Sequence, residues 1–174
     1  MCKRELNMVW LDLEGTVIDD LTNRNWLDNT KIIIPDSQFG IFTWGWWDET
    51  EIDYDLIQAI EERFSDKNND FLKKKCKCIV TKKNCMNWMF DHKLWFFDGW
   101  ENDFEEYKKI GYYKTQLCFA EENFNEKFSK ADCFIEMFKH EKVSWLFDDT
   151  IKEERKITFL SNDHTVVLFN PIKE

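Results

Sequence analysis

The sequence predicts an α/β fold, a three-layer sandwich with a mainly parallel central sheet, and three observations carry that prediction. Residues 8–13 (MVWLDL) and Val143–Phe147 (VSWLF) are short, continuous apolar runs, as expected of strands buried on both faces. Each runs straight into acidic residues, Asp12 and Glu14 in the first case, Asp148 and Asp149 in the second. Between them lie segments whose apolar residues recur at helical spacing, and strands alternating with such helices form βαβ units.

The elements follow in order. After the first strand and Gly15, residues 19–31 are polar and loop-like, and residues 32–34 (III) read as a short strand before Pro35. Residues 39–44 (FGIFTW) form a second core strand ending at Gly45. Asp48 and Glu49 then precede Ile52, Leu56, Ile60 and Phe64, one apolar residue every four, which predicts a helix with acids at its dipole-favoured start. Residues 66–75 are polar and basic, and residues 78–81 (CIVT) read as a third strand. Residues 84–113, rich in Trp and Phe, give no clear period and leave room for a small insertion within a single domain spanning 1–174. A further helix is expected over 129–140, with Ala131, Phe134, Ile135 and Phe138 on one face. After the strand at 143–147 come an apolar run at 157–160, a turn at Ser161-Asn162-Asp163, and a last strand at 165–169 (TVVLF).

Composition bounds the function. A chain of 174 residues suffices for one domain with a sizeable core. Its formal net charge of -10 argues against binding an extended nucleic acid, which needs clustered Lys and Arg. A single phosphate is not excluded, because a bound metal reverses the local field. No run is long enough for a membrane span, and the N-terminal apolar run is too short and too acidic for a secretory signal. The expected compartment is therefore a reducing cytoplasm, with free thiols at Cys2, Cys76, Cys78, Cys85, Cys118 and Cys133. Cys76, Cys78 and Cys85 lack the second ligand pair that a structural zinc site requires, so ordinary thiols are the simpler reading.

Acids at the carboxyl ends of two strands point to a site, because open parallel sheets bind ligands there. An oxygen-rich cluster suits Mg²⁺, which takes one or two carboxylates together with water and substrate phosphate.

These motifs, in this order, resemble the haloacid dehalogenase-like (HAD) superfamily of hydrolases. Its first motif, a strand followed by Asp-x-Asp-Gly-Thr, is matched by Asp12-Leu13-Glu14-Gly15-Thr16-Val17. Thr43 after Ile41-Phe42 fits the second motif, Lys130 the third with Lys127 as runner-up, and Asp148-Asp149 the fourth. The strand at 165–169 followed by Pro171 fits the way such domains close. The resemblance implies a Rossmann-like sandwich without a large cap and a Mg²⁺-dependent phosphatase. In that scheme Asp12 is the nucleophile that forms an aspartyl-phosphate. Thr43 and Lys130 hold the phosphoryl group. Asp12, Asp148 and Asp149, with the backbone carbonyl of Glu14, hold the metal. The expected substrate is a small phosphate ester, including a nucleotide.

The chain departs from the pattern at Glu14, where the family's phosphatases carry Asp as the acid that protonates the leaving oxygen. Glu14 keeps the carboxyl chemistry one methylene further out, and general acid catalysis depends on hydrogen-bond reach. Trp44, followed by Gly45, Trp46 and Trp47, stands where the family places its substrate entrance, either to stack on a base or sugar or to pack in the core. Two other readings compete. A catalytically weak domain that binds a phosphate ligand or a protein would tolerate Glu14. A DEDD-type 3'-5' exonuclease also begins with Asp12 and Glu14, with Asn87 to Asp91 as a faint later motif.

Overall fold

The computed structural model describes residues 8–28, 31–65, 73–95, 114–140, 143–159 and 164–172. Its strands are β1 (Val9–Leu11), β2 (Gln38–Phe42), β3 (Lys75–Val80), β4 (Val143–Phe147), β5 (Arg155–Phe159) and β6 (His164–Phe169). Its helices are α1 (Tyr54–Phe64), α2 (Lys82–Asp91), α3 (Lys114–Lys127) and α4 (Lys130–Phe138), with a 3-10 turn at Glu49–Glu51. The six strands form one sheet in the order β3-β2-β1-β4-β6-β5. All neighbours are parallel except β5, which runs antiparallel to β6. Strand order therefore reverses between β1 and β4. At such a switch point the connections leave in opposite directions and open a crevice at the carboxyl ends of the strands.

Each face of the sheet carries its own core. Trp10, Phe42, Leu146, Val166 and Leu168 pack under α2, α3 and α4, against Met86, Met89, Phe124, Phe134 and Phe138. Leu11, Phe39 and Ile41 pack on the other face under Leu56, Ile57 and Ile60 of α1. This gives the expected α/β layering, a mostly parallel sheet with helices on both sides. No helix among the described residues is long and apolar enough to cross a membrane.

The boundaries follow local chemistry. Asp53 caps α1 by accepting from the amides of Asp55 and Leu56, which satisfies N–H groups that the first turn leaves unpaired. Thr81 with Asn84, and Ser129 with Asp132, form reciprocal capping boxes that start α2 and α4. The capping at Ser129 matters most, because it makes Lys130 the first helical residue.

Several expectations need correction. Residues 32–34 are not a strand: β1 is already flanked by β2 and β4, and none of the six strands of the sheet pairs with them. Ile32 and Ile34 are buried all the same. β2 stops at Phe42, so Thr43 and Trp44 lie beyond it. β3 starts earlier than expected, at Lys75, because its alternating Lys and Cys suit an edge strand. Part of the unread stretch 84–113 is helix α2, with Cys85, Met86, Trp88 and Met89 on its buried face. Residues 96–113 and the turn at 161–163 lie outside the described residues. The uniform free-thiol expectation also fails: Cys78 is disulfide-bonded. Cys76, Cys85 and Cys133 are free. No zinc-like group of Cys and His occurs among the described residues.

Gly40 offers a direct check on the sheet. It sits opposite Trp10 in the β1–β2 register, and a β-carbon there would collide with the indole ring. Trp10 is fully buried and cannot swing aside. Gly40→Ala is therefore expected to destabilise the fold by about 1–3 kcal/mol, the usual cost of overpacking, as read from urea unfolding midpoints. Trp10→Leu in the same chain should recover part of the loss.

Candidate active site

The crevice at the switch point holds the acids that end β1 and β4. Asp12 extends the ladder by one more bond, its amide donating to the Phe147 carbonyl at 2.9 Å, and the Asp148 amide donates likewise to Phe169 at 3.0 Å. Beyond these bonds the chains diverge and the two carboxyl groups are left side by side. Both residues are buried.

Lys130 closes the crevice from the start of α4. Its Nζ lies 2.7 Å from Asp12 Oδ1 and 2.6 Å from Asp148 Oδ2. Asp148 is fixed from its other side by Thr150, whose amide and hydroxyl both donate to Oδ1, at 2.8 and 2.7 Å. Thr16, fully buried, joins the loops after β1 and β4. Its Oγ1 accepts from the Asp149 amide at 3.0 Å and stands 3.3 Å from Asp12 Oδ2 and 3.2 Å from Asp149 Oδ1, to one of which it donates. Asn170, just past β6, donates to the carbonyls of Asp149 and Ile151 and braces the acidic loop. Gly15 adopts a left-handed conformation with φ +79°, and a side chain there would run into the Asp149 carboxylate.

Carboxylate oxygens of Asp12, Asp148 and Asp149 all lie within 4.8 Å of one another. Three carboxylates facing one ammonium leave the cluster with surplus negative charge, and the titration shifts reflect it. Burial, opposed by Lys130 and reinforced by Asp148 and Asp149, pushes Asp12 up to about 7. Asp149 is raised by burial and by Asp148, against the lowering pull of Thr16, Asp12 and Lys130. For Lys130, burial pulls down, but Asp12 and Asp148 outweigh it and hold the ammonium above its ordinary value. Both members of the Asp12–Lys130 pair are thus raised. The lysine answers to two carboxylates, whereas Asp12 answers to one lysine, two acids and a dry environment. An all-oxygen donor set with unbalanced negative charge fits a hard divalent cation. Asp12, Asp148 and Asp149 are the residues that would hold it.

The remaining expected site residues fall around this cluster. Thr43 lies one strand over, beyond β2, buried, with its amide donating to Val80 and its Oγ1 accepting from the Gly45 amide at 3.1 Å. Glu14 is exposed and turns away from the three acids: its Oε2 accepts from the Leu21 amide at 3.3 Å. Its Oε1 and Thr43 Oγ1 both lie within 3.3 Å of the point a β-carbon on Gly45 would occupy. Glu14 therefore flanks Thr43 and not Asp12. Trp44 is packed: its indole N–H donates to Cys85 Sγ at 3.4 Å, and Lys82 Nζ lies 5.0 Å from its ring centroid. Trp46 is buried in the opposite core, under α1. Lys127 is exposed at the end of α3. His92 stacks on Trp88 and bonds its backbone carbonyl, a structural placement.

Sequence reasoning assigns no role to Thr16, Thr150 or Asn170. The available signal is position alone: Thr16 directly follows Gly15 in the first motif, and Thr150 directly follows the paired acids. A hydroxyl next to a strand-ending acid can bond that acid or its loop, but many threonines stand in such places without doing so. No family model matches this chain, and no curated protein or solved structure does either.

Proposed function

We propose that the chain is a Mg²⁺-dependent phosphohydrolase of the HAD type, acting through an aspartyl-phosphate on a small phosphate ester, a nucleotide included. One observation carries this reading: Lys130 Nζ bridges Asp12 and Asp148 at 2.7 and 2.6 Å, beside Asp149, at the switch point of a parallel sheet. A buried nucleophile, a fixed cation and a cation-sized acid cluster are the parts phosphoryl transfer needs.

In this mechanism ionised Asp12 attacks phosphorus and the ester P–O bond breaks, the electron pair leaving on the alcohol oxygen. Lys130 and the Thr43 hydroxyl donate to the phosphoryl oxygens. Glu14, beside Thr43, gives its proton to the leaving oxygen when the leaving group lies on that side. Water then attacks phosphorus and gives a proton to the Glu14 carboxylate left by the first step, the P–O bond to Asp12 breaks with its electron pair returning to the Asp12 carboxylate, and inorganic phosphate departs. A bound Mg²⁺ would offset the surplus charge on the acids and favour ionised Asp12.

The test is turnover of a generic phosphate ester by pure protein, with and without Mg²⁺. Turnover that requires Mg²⁺ supports the reading, and no turnover on a panel of phosphate esters sinks it in favour of a weak or purely ligand-binding domain. Asp148→Asn is expected to weaken Mg²⁺ binding more than Asp149→Asn, because Asp148 is buried and held by Thr150 and Lys130. Calorimetric titration with equal affinities for the two variants would contradict the arrangement. Glu14→Gln should slow turnover by about 10²–10⁴-fold for alkyl esters and far less for activated aryl esters, whose leaving groups scarcely need a proton. Equal slowing of both would remove Glu14 from the acid role. The exonuclease reading draws no support from geometry: Asp91 sits exposed at the end of α2 and is not part of the three-acid cluster.

A further inference from the structure

The helix that carries Lys130 does not stand alone. α3 leads into it through only Phe128 and Ser129, and the Phe128 amide still bonds the Phe124 carbonyl. Wherever the C-terminal half of α3 is docked, the start of α4 must follow. That docking is made on the loops that end β2 and β3. Lys82, the first residue of α2, is buried, and its Nζ lies 2.8 Å from Glu121 of α3. The same ammonium lies over the Trp44 ring. Phe124, fully buried, packs between Trp44, with ring centroids 5.8 Å apart, and Phe128 at 5.3 Å. Trp95 packs edge-on against Phe124, and its indole N–H donates to Asn123 at 2.9 Å. Trp44 directly follows Thr43. One contact set therefore ties the loop that presents Thr43 to the helix pair that presents Lys130.

We propose that Lys82, Glu121 and Trp44 form a positioning lock that holds α3 on the β2 loop and thereby sets Lys130 against Asp12 and Asp148. Lys82 and Trp44 are then positioning residues that act through α3 and touch no substrate. The role of Lys130 in phosphoryl transfer rests on the function proposed above, but its placement does not. The electrostatics suit such a lock. The Lys82 side chain is 11% exposed and that of Glu121 35%, so the pair is partly desolvated and removal of either partner strands the other. Shape fixes direction as well: the ammonium is held between a carboxylate and an indole face, a favourable site for a cation.

The experiment measures native-state labelling of individual lysines by an amine-acetylating reagent, read by peptide mass spectrometry, and needs no turnover. Lys130 is shielded in the wild type by its two carboxylate partners. Lys82→Met, which keeps the aliphatic stem, and Glu121→Gln, which is isosteric, are each expected to raise Lys130 labelling roughly fivefold, the population change produced by loss of a partly exposed ion pair at the upper end of its usual strength. The charge-swapped pair Lys82→Glu with Glu121→Lys should bring it back towards wild type. A merely structural role would lower the unfolding midpoint without changing Lys130 labelling under native conditions. Unchanged Lys130 labelling in a folded Lys82→Met or Glu121→Gln protein overturns the lock, and either variant suffices if the other fails to fold. Wild-type protein that turns over no phosphate ester would sink the proposed function while leaving the labelling result intact. Normal turnover with unchanged labelling would do the reverse.

Discussion

On the function proposed above, Asp12→Asn is expected to abolish phosphate-ester turnover, by about 10⁴-fold or more as removal of a nucleophile does, while leaving the fold at least as stable as the wild type at neutral pH. The two halves of this expectation have one cause. Asp12 is buried beside two other acids, and that environment, opposed by Lys130, raises its pKa from 3.8 to about 7. Between those values the native protein binds more protons than the unfolded chain, so stability falls as pH rises through the window. The loss is on the order of 4 kcal/mol at the outside, and Asp149, raised in the same direction, adds to it. An amide at position 12 carries no charge to be penalised. The variant should therefore lose the decline in stability between about pH 4 and pH 7, as thermal unfolding without divalent cations would show. Mg²⁺ should flatten the same decline in the wild type by binding the ionised cluster. A wild-type unfolding midpoint that climbs steadily across that window without divalent cations would contradict the charge balance described here.

How far the site is legible in the sequence depends on which part of its geometry is local. Asp12 and Asp148-Asp149 stand out because each follows a short apolar run, and a strand buried on both faces can place an acid only at its end. Lys130 stands out for a related reason: the apolar positions Ala131, Phe134, Ile135 and Phe138 begin directly after it and put it in the first helical turn. The relation between those elements is not local. That β1 and β4 are neighbours is a matter of strand order, which periodicity does not encode. The fully buried hydroxyl of Thr16 acquires its partners only once the two loops meet.

The misread segments have similar physical origins. Ile32 to Ile34 has the composition of a strand, yet composition does not supply a pairing partner, and Ile32 and Ile34 are buried in the α1-side core without joining the sheet. α2 is hidden because Lys82, Lys83, Asn84 and Asn87 dilute its apolar face, and because the capping box that starts it rests on Thr81, which reads equally well as the end of a strand. The resemblance leads one to expect Glu14 beside Asp12. The loop after β1 turns sharply at Gly15, and the longer side chain reaches the Leu21 amide on the side of Thr43. The tryptophans at 44 and 46 look alike in sequence but enter opposite cores, so neither exposure nor stacking follows from their spacing.

Lys130→Met should be strongly destabilising, and its contrast with Asp12→Asn separates charge balance from packing. Methionine fills much of the same volume, so the loss is electrostatic: Asp12, Asp148 and Asp149 remain clustered with no ammonium among them. Breaking a buried pair by removing one partner typically costs about 3–5 kcal/mol, which for a chain of this size lowers the thermal midpoint by roughly 10 °C. The wild-type contribution of Lys130 is fully present at neutral pH, because its pKa is raised and it stays charged there. Two treatments should restore the variant without restoring activity. Acidification towards about pH 5 favours the folded variant, because its clustered acids hold protons that the unfolded chain gives up, and Mg²⁺ supplies positive charge directly. The double variant with Asp12→Asn should be more stable than the sum of the two single effects predicts, a non-additivity that marks a direct interaction. If the double variant instead equals the sum of the two single effects, the ion pair at 2.7 Å does not govern stability, and α4 is held in place by its apolar face, Phe134 and Phe138 against Trp10 and Phe42, without help from the site.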